Sequence, residues 1–179
     1  MDNPLKIGLV YGSARPGRFC DTVAGWVAER VWGDSRFVLD PIDPATDDQA
    51  DLVRRIGQAD GFIVVTPEYN HSFPAPLKAL IDAANREWHA KPVAFVSYGG
   101  VSGGLRAVEH LRGVFAELHA AGIRDTVSFA SAWEQFDEQG RLRHPERAER
   151  SMVTLLKRLE WWAQALRDAR LARAYGAAA

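Results

Sequence analysis

The sequence predicts an α/β protein built on a parallel β-sheet of five strands. Five short apolar runs alternate along the 179-residue chain with stretches in which apolar side chains recur at helical spacing. This alternation is typical of βαβ units, in which a helix connects each parallel strand to the next. Residues 61–65 are apolar without alternation, as expected of a parallel strand that is covered on both faces. The length suits one domain with a sizeable core, so we predict a single domain over residues 1–179.

The five apolar runs are the predicted strands, and each contains three to five residues. Polar or turn-forming residues separate them from the helical stretches. The second strand is the shortest, because we expect Asp40 and Pro41 to end it. The predicted strands span residues 7–11, 37–39, 62–65, 93–97 and 127–130.

Five helices are predicted between and after these strands. In the first, Val23, Trp26 and Val27 recur at helical spacing, and Gly33 begins its stop signal. Pro145 fits the first position of the last helix, where its missing N–H costs nothing. The predicted helices span residues 19–32, 47–57, 76–84 and 104–120, and the last begins at Pro145. The core face of this last helix is predicted to comprise Met152, Leu155, Leu156, Leu159, Trp162 and Leu166.

Five strands connected in this way favour the flavodoxin-like sheet order 2-1-3-4-5 over the six-stranded dinucleotide-binding order. We therefore predict a flavodoxin-like three-layer sandwich, with a five-stranded parallel sheet between two layers of helices. In open sheets of this kind, ligands bind beyond the carboxyl ends of the strands. The segments that directly follow strands are thus the candidates for a functional site.

Composition excludes several classes of protein. Hydrophobic residues make up 47% of the chain, which excludes a disordered protein. The net charge is −1, so we expect neither nucleic acid nor an anionic membrane as a partner. No apolar run could span a bilayer, and the N-terminus lacks a signal-peptide core. The single cysteine, Cys20, excludes an internal disulfide. We expect a cytoplasmic protein.

The segment at residues 12–18 follows the first strand and has the chemistry of a phosphate site. Its glycines allow a tight turn, Ser13 offers a hydroxyl, and the next helix offers unpaired N–H groups to an anion. Arg15 and Arg18 can add charge-assisted hydrogen bonds. The segment lacks both the Gly-Lys-Ser/Thr of a nucleoside triphosphatase loop and the G-x-G-x-x-G dinucleotide pattern. The alternative is an ordinary turn with two solvated arginines.

A second segment, residues 66–70, follows the third strand. Pro67 restricts the backbone and Tyr69 supplies an aromatic face, which together suit a flat ligand. Glu68 is a candidate general acid, with a structural or solvated role as the alternative. His71 has no histidine or cysteine at metal-ligand spacing, so we expect no metal site and an exposed side chain.

A third segment, residues 99–104, contains four glycines and follows the fourth strand. Its main-chain N–H groups are free of side-chain bulk. They can donate to the oxygens of a ring or stabilise a developing negative charge. The alternative is a mobile loop.

Taken together, these segments resemble the NADPH-dependent FMN reductase family, the flavodoxin-like group that includes bacterial quinone, chromate and azo-dye reductases. The resemblance runs from about Ile7 into the last helix. It rests on three motifs in order: GSARPGR at residues 12–18, TPEYNHS at 66–72, and SYGGVSGGLRA at 97–107.

The resemblance implies an FMN-dependent NAD(P)H oxidoreductase that passes hydride from NADPH through bound FMN to a quinone, a flavin or an azo compound. It implies no catalytic side chain, because the cofactor carries the chemistry. The alternatives are a flavodoxin-like electron carrier and a non-redox flavin-binding module. The arginine-containing first segment and the near-neutral charge favour the reductase.

The resemblance also implies which residues meet FMN. The predicted phosphate contacts are Ser13, Arg15, Arg18, Phe19 and Cys20. The predicted ring contacts are Pro67, Glu68, Tyr69 and Asn70 on one side and Ser97, Tyr98, Gly99, Gly100, Ser102 and Gly103 on the other. Cys20 departs from the family's usual small or polar residue, so it either touches the phosphate or is inert. Family members commonly form homodimers, some form tetramers, and the candidate surfaces here are residues 74–88 and 105–118.

Overall fold

A five-stranded parallel sheet with the order β2-β1-β3-β4-β5 forms the centre of the protein. A computed structural model describes residues 3–176, so both ends of the predicted domain, residues 1–2 and 177–179, lie outside the described residues. The strands are β1 (Leu5–Tyr11), β2 (Phe37–Ile42), β3 (Gly61–Pro67), β4 (Pro92–Gly99) and β5 (Ala121–Ala130). The helices are α1 (Cys20–Trp32), α2 (Gln49–Gln58), α3 (Ala75–Asp82), α4 (Leu105–Glu117), α5 (Ala132–Gln135) and α6 (Glu146–Ala172).

Two hydrophobic cores lie on the two faces of the sheet. Along β3, Ile63 and Val65 face the core beneath α1 and α6, while Phe62 and Val64 face the core beneath α2, α3 and α4. The split follows from the backbone, since successive side chains of a strand point to opposite faces. The predicted three-layer sandwich and its strand order are confirmed.

The two edge strands are longer than predicted. Pro41 lies inside β2 and pairs with Leu9, so the prediction that Asp40 and Pro41 end this strand is wrong. Proline is tolerated there because β2 has a neighbour on one side only. β5 begins at Ala121 rather than 127, and its first half exposes Arg124 to solvent. Edge strands carry such polar residues, and because these residues interrupt the apolar pattern, that part of β5 could not be predicted as a strand.

The chain after β5 also differs from the prediction. A short helix, α5, occupies residues predicted as a loop. On α6, Ala163 is buried, whereas Trp162 is 38% exposed, so the prediction that Trp162 lies on the core face is wrong. No helix among the described residues is long and apolar enough to cross a membrane.

Candidate functional site

The three predicted segments meet at the carboxyl edge of the sheet. Ser13 Oγ, in the first segment, lies 3.0 Å from the hydroxyl of Tyr69 in the second. Ser102 Oγ, in the third, donates a hydrogen bond of 2.8 Å to the carboxylate of Glu68. The main-chain N–H of Glu68 donates to the carbonyl of Tyr98 at 3.2 Å. Side-chain and main-chain contacts therefore join all three segments into one site.

The first segment is a tight turn over the end of β3. A Cβ on Gly12 would lie 2.5 Å from the carbonyl oxygen of Val65, so only glycine fits there. Ser13 is fully buried, and its Oγ also accepts a hydrogen bond from the N–H of Arg15. The Arg15 side chain is exposed, and its guanidinium carbon lies 3.9 Å from the centre of the Tyr69 ring, as in a cation–π contact.

Arg18 has a different environment, because its side chain is only 9% exposed. Its guanidinium donates to both carboxylate oxygens of Asp43, to Asp21 at 2.8 Å and to the carbonyl of Ser13. The hydrogen bond to Asp43 is the main cause that raises the pKa of Arg18. Burial is the largest influence on the pKa of Asp43 and raises it, but the hydrogen bonds from Arg18 and from the N–H of Ala45, together with the charge of Arg18, lower it below its usual value. Arg18 therefore connects the main chain of the first segment, at Ser13, to Asp43.

Three further predicted residues lie under the segments. Cys20 is fully buried at the start of α1, its Sγ lies 3.7 Å from the carbonyl of Val65, and burial raises the pKa of its thiol to about 11. The ring of Phe19 packs on Tyr98 and Phe136, with centroids 5.9 and 5.6 Å apart. Tyr98 is 5% exposed, and burial raises its pKa. The Cys20 thiol and the Tyr98 phenol thus belong to the core, which leaves their main-chain groups to meet a ligand.

The second segment ends in a two-residue hairpin. Tyr69 and Ser72 exchange main-chain hydrogen bonds of 2.8 and 3.1 Å, and the residues between them, Asn70 and His71, have φ of 50° and 67°. Two consecutive positive φ values are typical of a type I′ turn, which favours Asn-Gly. Here a histidine occupies the second position at a conformational cost. Both central side chains point into solvent, as predicted for His71.

Glu68 joins the second segment to the third. Its side chain, 7% exposed, accepts hydrogen bonds from Ser102 Oγ and from both the N–H and the guanidinium of Arg106, the last at 2.7 Å. Burial alone would raise the pKa of Glu68, but these hydrogen bonds lower it. A carboxylate held in its ionised form is a poor general acid. Sequence reasoning found no partner for Glu68 because Ser102 and Arg106 lie 34 and 38 residues away.

Hydrogen bonds hold the third segment in one conformation. Ser97 Oγ and Ser128 Oγ both donate to the carbonyl of Gly103, at 2.8 and 2.9 Å. Gly103 and Gly104 have φ of 61° and 84°, which side chains rarely adopt. Gly100 remains exposed and faces open space, with the Trp133 ring 4.0 Å from where a Cβ would be. Neither Ser128 nor Trp133 was predicted, since only the pairing of β5 with β4 brings them here.

A cleft of about 520 Å³ lies between the first two segments and the start of α3. Ser13, Arg15 and Tyr69 line one part of it, and Phe73 and Pro76 line another. The cleft therefore combines hydrogen-bonding groups and a positive charge with an apolar wall. This combination is typical of sites for nucleotides and other phosphorylated aromatic ligands.

The fold and the site together define a flavodoxin-like protein with a nucleotide-sized cleft at the carboxyl edge of its sheet. The chain belongs to the NADPH-dependent FMN reductase family, whose sequence model matches residues 5–134. The predicted family is therefore confirmed, and with it the oxidoreductase class.

Named relatives agree with this membership. The chain is 36% identical over 140 residues to an NAD(P)H-dependent FMN reductase of Schizosaccharomyces pombe, covering 65% of this chain and 69% of the relative. It is 41% identical over 111 residues to an NAD(P)H:quinone oxidoreductase of Solanum tuberosum, covering 58% and 56%. Among solved structures, a flavoenzyme NAD(P)H:(acceptor) oxidoreductase from Paracoccus denitrificans has a TM-score of 0.69 at 20% identity, covering 90% and 98%. At that identity the structural similarity shows the fold.

Proposed function

We propose that the protein is an FMN-dependent NAD(P)H oxidoreductase that takes hydride from NADPH and passes it to a quinone, a flavin or an azo compound. The observation that carries this proposal is the junction of three segments, two of them glycine-containing, at the carboxyl edge of a flavodoxin-like sheet. The names of the relatives support it, since they are FMN reductases and quinone oxidoreductases.

The first segment has the groups that an FMN phosphate needs. Gly17, with a φ of 64° and open space where a Cβ would be, allows the main chain to approach the phosphate closely. The N–H groups at the start of α1 and the Ser13 hydroxyl can donate to it, and the exposed Arg15 guanidinium can swing from Tyr69 to pair with it. Arg18 holds the segment in place through Asp43 rather than by direct contact.

The other two segments have the groups that the flavin ring needs. Residues 67–70 offer main-chain groups and the Tyr69 face, and Gly99 and Gly100 offer N–H groups without side-chain bulk. Bound FMN supplies the hydride chemistry, so the protein contributes orientation and exclusion of water. The proposed cofactor residues are Ser13, Arg15, Phe19, Cys20, Pro67, Glu68, Tyr69, Asn70, Ser97, Tyr98, Gly99, Gly100, Ser102 and Gly103, and Arg18 positions the first of them.

We further propose that residues 1–179 act as one cytoplasmic domain that forms a homodimer, with a tetramer as the next level of assembly. The candidate surfaces, residues 74–88 and 105–118, flank the cleft. Ala75 and Ala79 support the first of these surfaces, because they give α3 an exposed face of small apolar residues beside the cleft. Light scattering on the purified protein measures the assembly directly, and a monomer at micromolar concentration would contradict it.

The test of the proposed activity is steady-state oxidation of NADPH and NADH by the FMN-loaded protein, with quinone, flavin and azo acceptors. We expect turnover with at least one pair, and loss of turnover when FMN is removed. FMN binding without turnover would instead indicate an electron carrier. Purified protein that neither contains nor takes up FMN would indicate a non-redox module.

A further inference from the structure

A second cavity, of about 560 Å³, lies on the edge-strand side of the sheet between α4, β5 and α6. None of the predicted cofactor residues lines it. Four arginines from these three elements do, namely Arg112, Arg124, Arg147 and Arg150. Such a concentration of positive charge is notable in a chain whose net charge is −1.

The two acids of this cavity are already paired. Glu109 lies 3.3 Å from the guanidinium of Arg112, and Asp125 lies 3.6 Å from that of Arg158, outside the cavity. Arg112 also donates to the carbonyls of Ile123 and Arg124, and these hydrogen bonds hold its guanidinium against β5. By contrast, the guanidinium groups of Arg124, Arg147 and Arg150 have no hydrogen-bond or ion-pair partner within residues 3–176.

Two of these free arginines occupy unfavourable positions. Arg147 lies in the first turn of α6, where the helix dipole disfavours a positive charge. Arg150 lies three residues further on, on the same helix face, so the two like charges repel each other. Both side chains are exposed in a turn that also contains Glu146 and Glu149, and an anion bound between the two guanidinium groups would relieve their mutual repulsion.

The rest of the cavity indicates what kind of anion fits. Thr126, Ser151 and Thr154 bring hydroxyls, which donate to phosphate oxygens as arginine does. Leu105 and Val108 provide an apolar wall for a base or a sugar face. The chemistry is that of a nucleoside carrying a phosphate ester.

The cavity shares lining residues with a second one that lies nearer to the proposed flavin site. Leu105 and Glu109 also line a smaller cavity of about 440 Å³, together with His71, Arg106 and His110. Arg106 is bonded to Glu68 in the second segment. Since a helix rises 1.5 Å per residue, Arg112 lies about 10 Å along α4 from Leu105. A dinucleotide with one end at the third segment can therefore reach the arginines along α4.

We propose that this cavity binds the adenosine end of NADPH, with Arg124, Arg147 and Arg150 around its 2′-phosphate. This inference rests on the proposed function and adds the reason for a preference for NADPH over NADH. The three arginines are specificity-determining residues, because they contact only the part of the nucleotide that distinguishes the two.

The first experiment measures binding without turnover. Titration calorimetry follows 2′,5′-ADP, the phosphorylated end of NADPH, into the full-length protein with and without FMN, and 5′-AMP serves as the ligand that lacks the 2′-phosphate. We expect the double variant Arg147→Gln, Arg150→Gln to bind 2′,5′-ADP at least 10-fold more weakly. Its affinity for 5′-AMP should change less than 3-fold. The double variant Arg54→Gln, Arg173→Gln, which removes the same two charges at exposed positions outside the cavity, should bind both ligands like the wild type.

The second experiment uses the FMN-loaded enzyme. The double variant should show a KM for NADPH raised about 10-fold, with an unchanged KM for NADH and an unchanged kcat. Equal affinity of the wild type for 2′,5′-ADP and 5′-AMP, or an unaltered dissociation constant in the double variant, would overturn the inference. Arg124 would then serve only to keep the edge strand β5 from pairing with another chain, and Arg147 and Arg150 would be solvated surface residues of α6.

The two experiments also separate this inference from the proposed function. Arginine-dependent binding of 2′,5′-ADP by a protein that does not oxidise NADPH would support the nucleotide site and contradict the proposed activity. Oxidation of NADPH by a protein whose affinity for 2′,5′-ADP does not depend on Arg147 and Arg150 would support the proposed activity and overturn the nucleotide site.

Discussion

The two ends of the sheet differ in how they use their buried polar groups. At the carboxyl edge, glycines and residues with positive φ hold main-chain groups open around a cleft. At the amino edge, Lys91 is 5% exposed and donates to the carbonyls of Ile56 and Gly57 at the end of α2, at 2.7 and 2.8 Å. Asp60 nearby accepts hydrogen bonds from the main chain of Lys6 and from Arg170.

From this difference we expect the amino edge to contribute mainly to stability and the carboxyl edge to contribute mainly to ligand binding. Polar groups at the amino edge are paired within the protein, so removal of one leaves its partners unsatisfied. At the carboxyl edge, by contrast, the Arg15 side chain and Gly100 are exposed. Substitutions at the amino edge should therefore change the free energy of unfolding, and those at the carboxyl edge should change affinity for FMN.

The largest effect is expected for Trp88→Ala at the amino edge. Trp88 is fully buried between Phe62 and Phe115, with ring centroids 4.6 and 5.3 Å away, and its Nε1–H donates to the carbonyl of Ile81. We expect a loss of about 3–5 kcal/mol in the free energy of unfolding, measured by urea denaturation. Trp161→Ala is the control, because Trp161 is 64% exposed and its loss should cost little. A Trp88→Ala protein as stable as the wild type would contradict the expectation that substitutions at the amino edge lower the free energy of unfolding.

At the carboxyl edge, Arg15→Ala should weaken FMN binding by about 1.5–3 kcal/mol, because a charge-assisted hydrogen bond to the phosphate is lost. Its free energy of unfolding without FMN should stay near that of the wild type. Arg54→Ala makes the same change at an exposed position of α2, outside both candidate surfaces, and should leave FMN affinity unaltered. Fluorescence titration of FMN gives both dissociation constants, and an unchanged value for Arg15→Ala would remove Arg15 from the site.

Lys91→Met should lower the free energy of unfolding by about 1–3 kcal/mol, because two carbonyls at the end of α2 lose their donor. Burial lowers the pKa of Lys91 from 10.5 to about 8. Between these values the unfolded chain binds more protons than the folded protein, so the contribution of Lys91 to stability rises as pH increases from 8 to 10.5.

Urea denaturation across that range measures this contribution as the difference between wild type and Lys91→Met. Lys157→Met, at an exposed position of α6, is the matched control. A wild-type advantage that stays constant from pH 8 to 10.5 would contradict the lowered pKa of Lys91.

The smallest effect is expected for His71→Gly at the carboxyl edge. Unlike the other variants, it should raise the free energy of unfolding. Glycine adopts the φ of 67° at this turn without strain, so we expect a gain of about 0.5–1 kcal/mol in the free energy of unfolding. His144→Gly, at a loop position without positive φ, should give no gain. Destabilisation by His71→Gly, seen in thermal unfolding, would show that the carboxyl edge also depends on this side chain.

Local patterns were enough to predict most of the fold. The uninterrupted apolar run of β3 and the helical spacing on α1 both depend on residues close in sequence, and both were confirmed. The edge strands were predicted too short, because an exposed edge tolerates Pro41 and the polar residues of β5. The three segments of the site could be located because each directly follows a strand.

The sequence by itself determined the α/β class, the order of elements and which segments border the cleft, since these follow from the short-range periodicity of the backbone. Only the tertiary structure decided what each polar side chain does there. It directs Arg18 to Asp43, Glu68 to Arg106 and the Cys20 thiol into the core. The physical reason is that a hydrogen-bond partner is selected by distance in space, and the pairing of distant strands sets that distance.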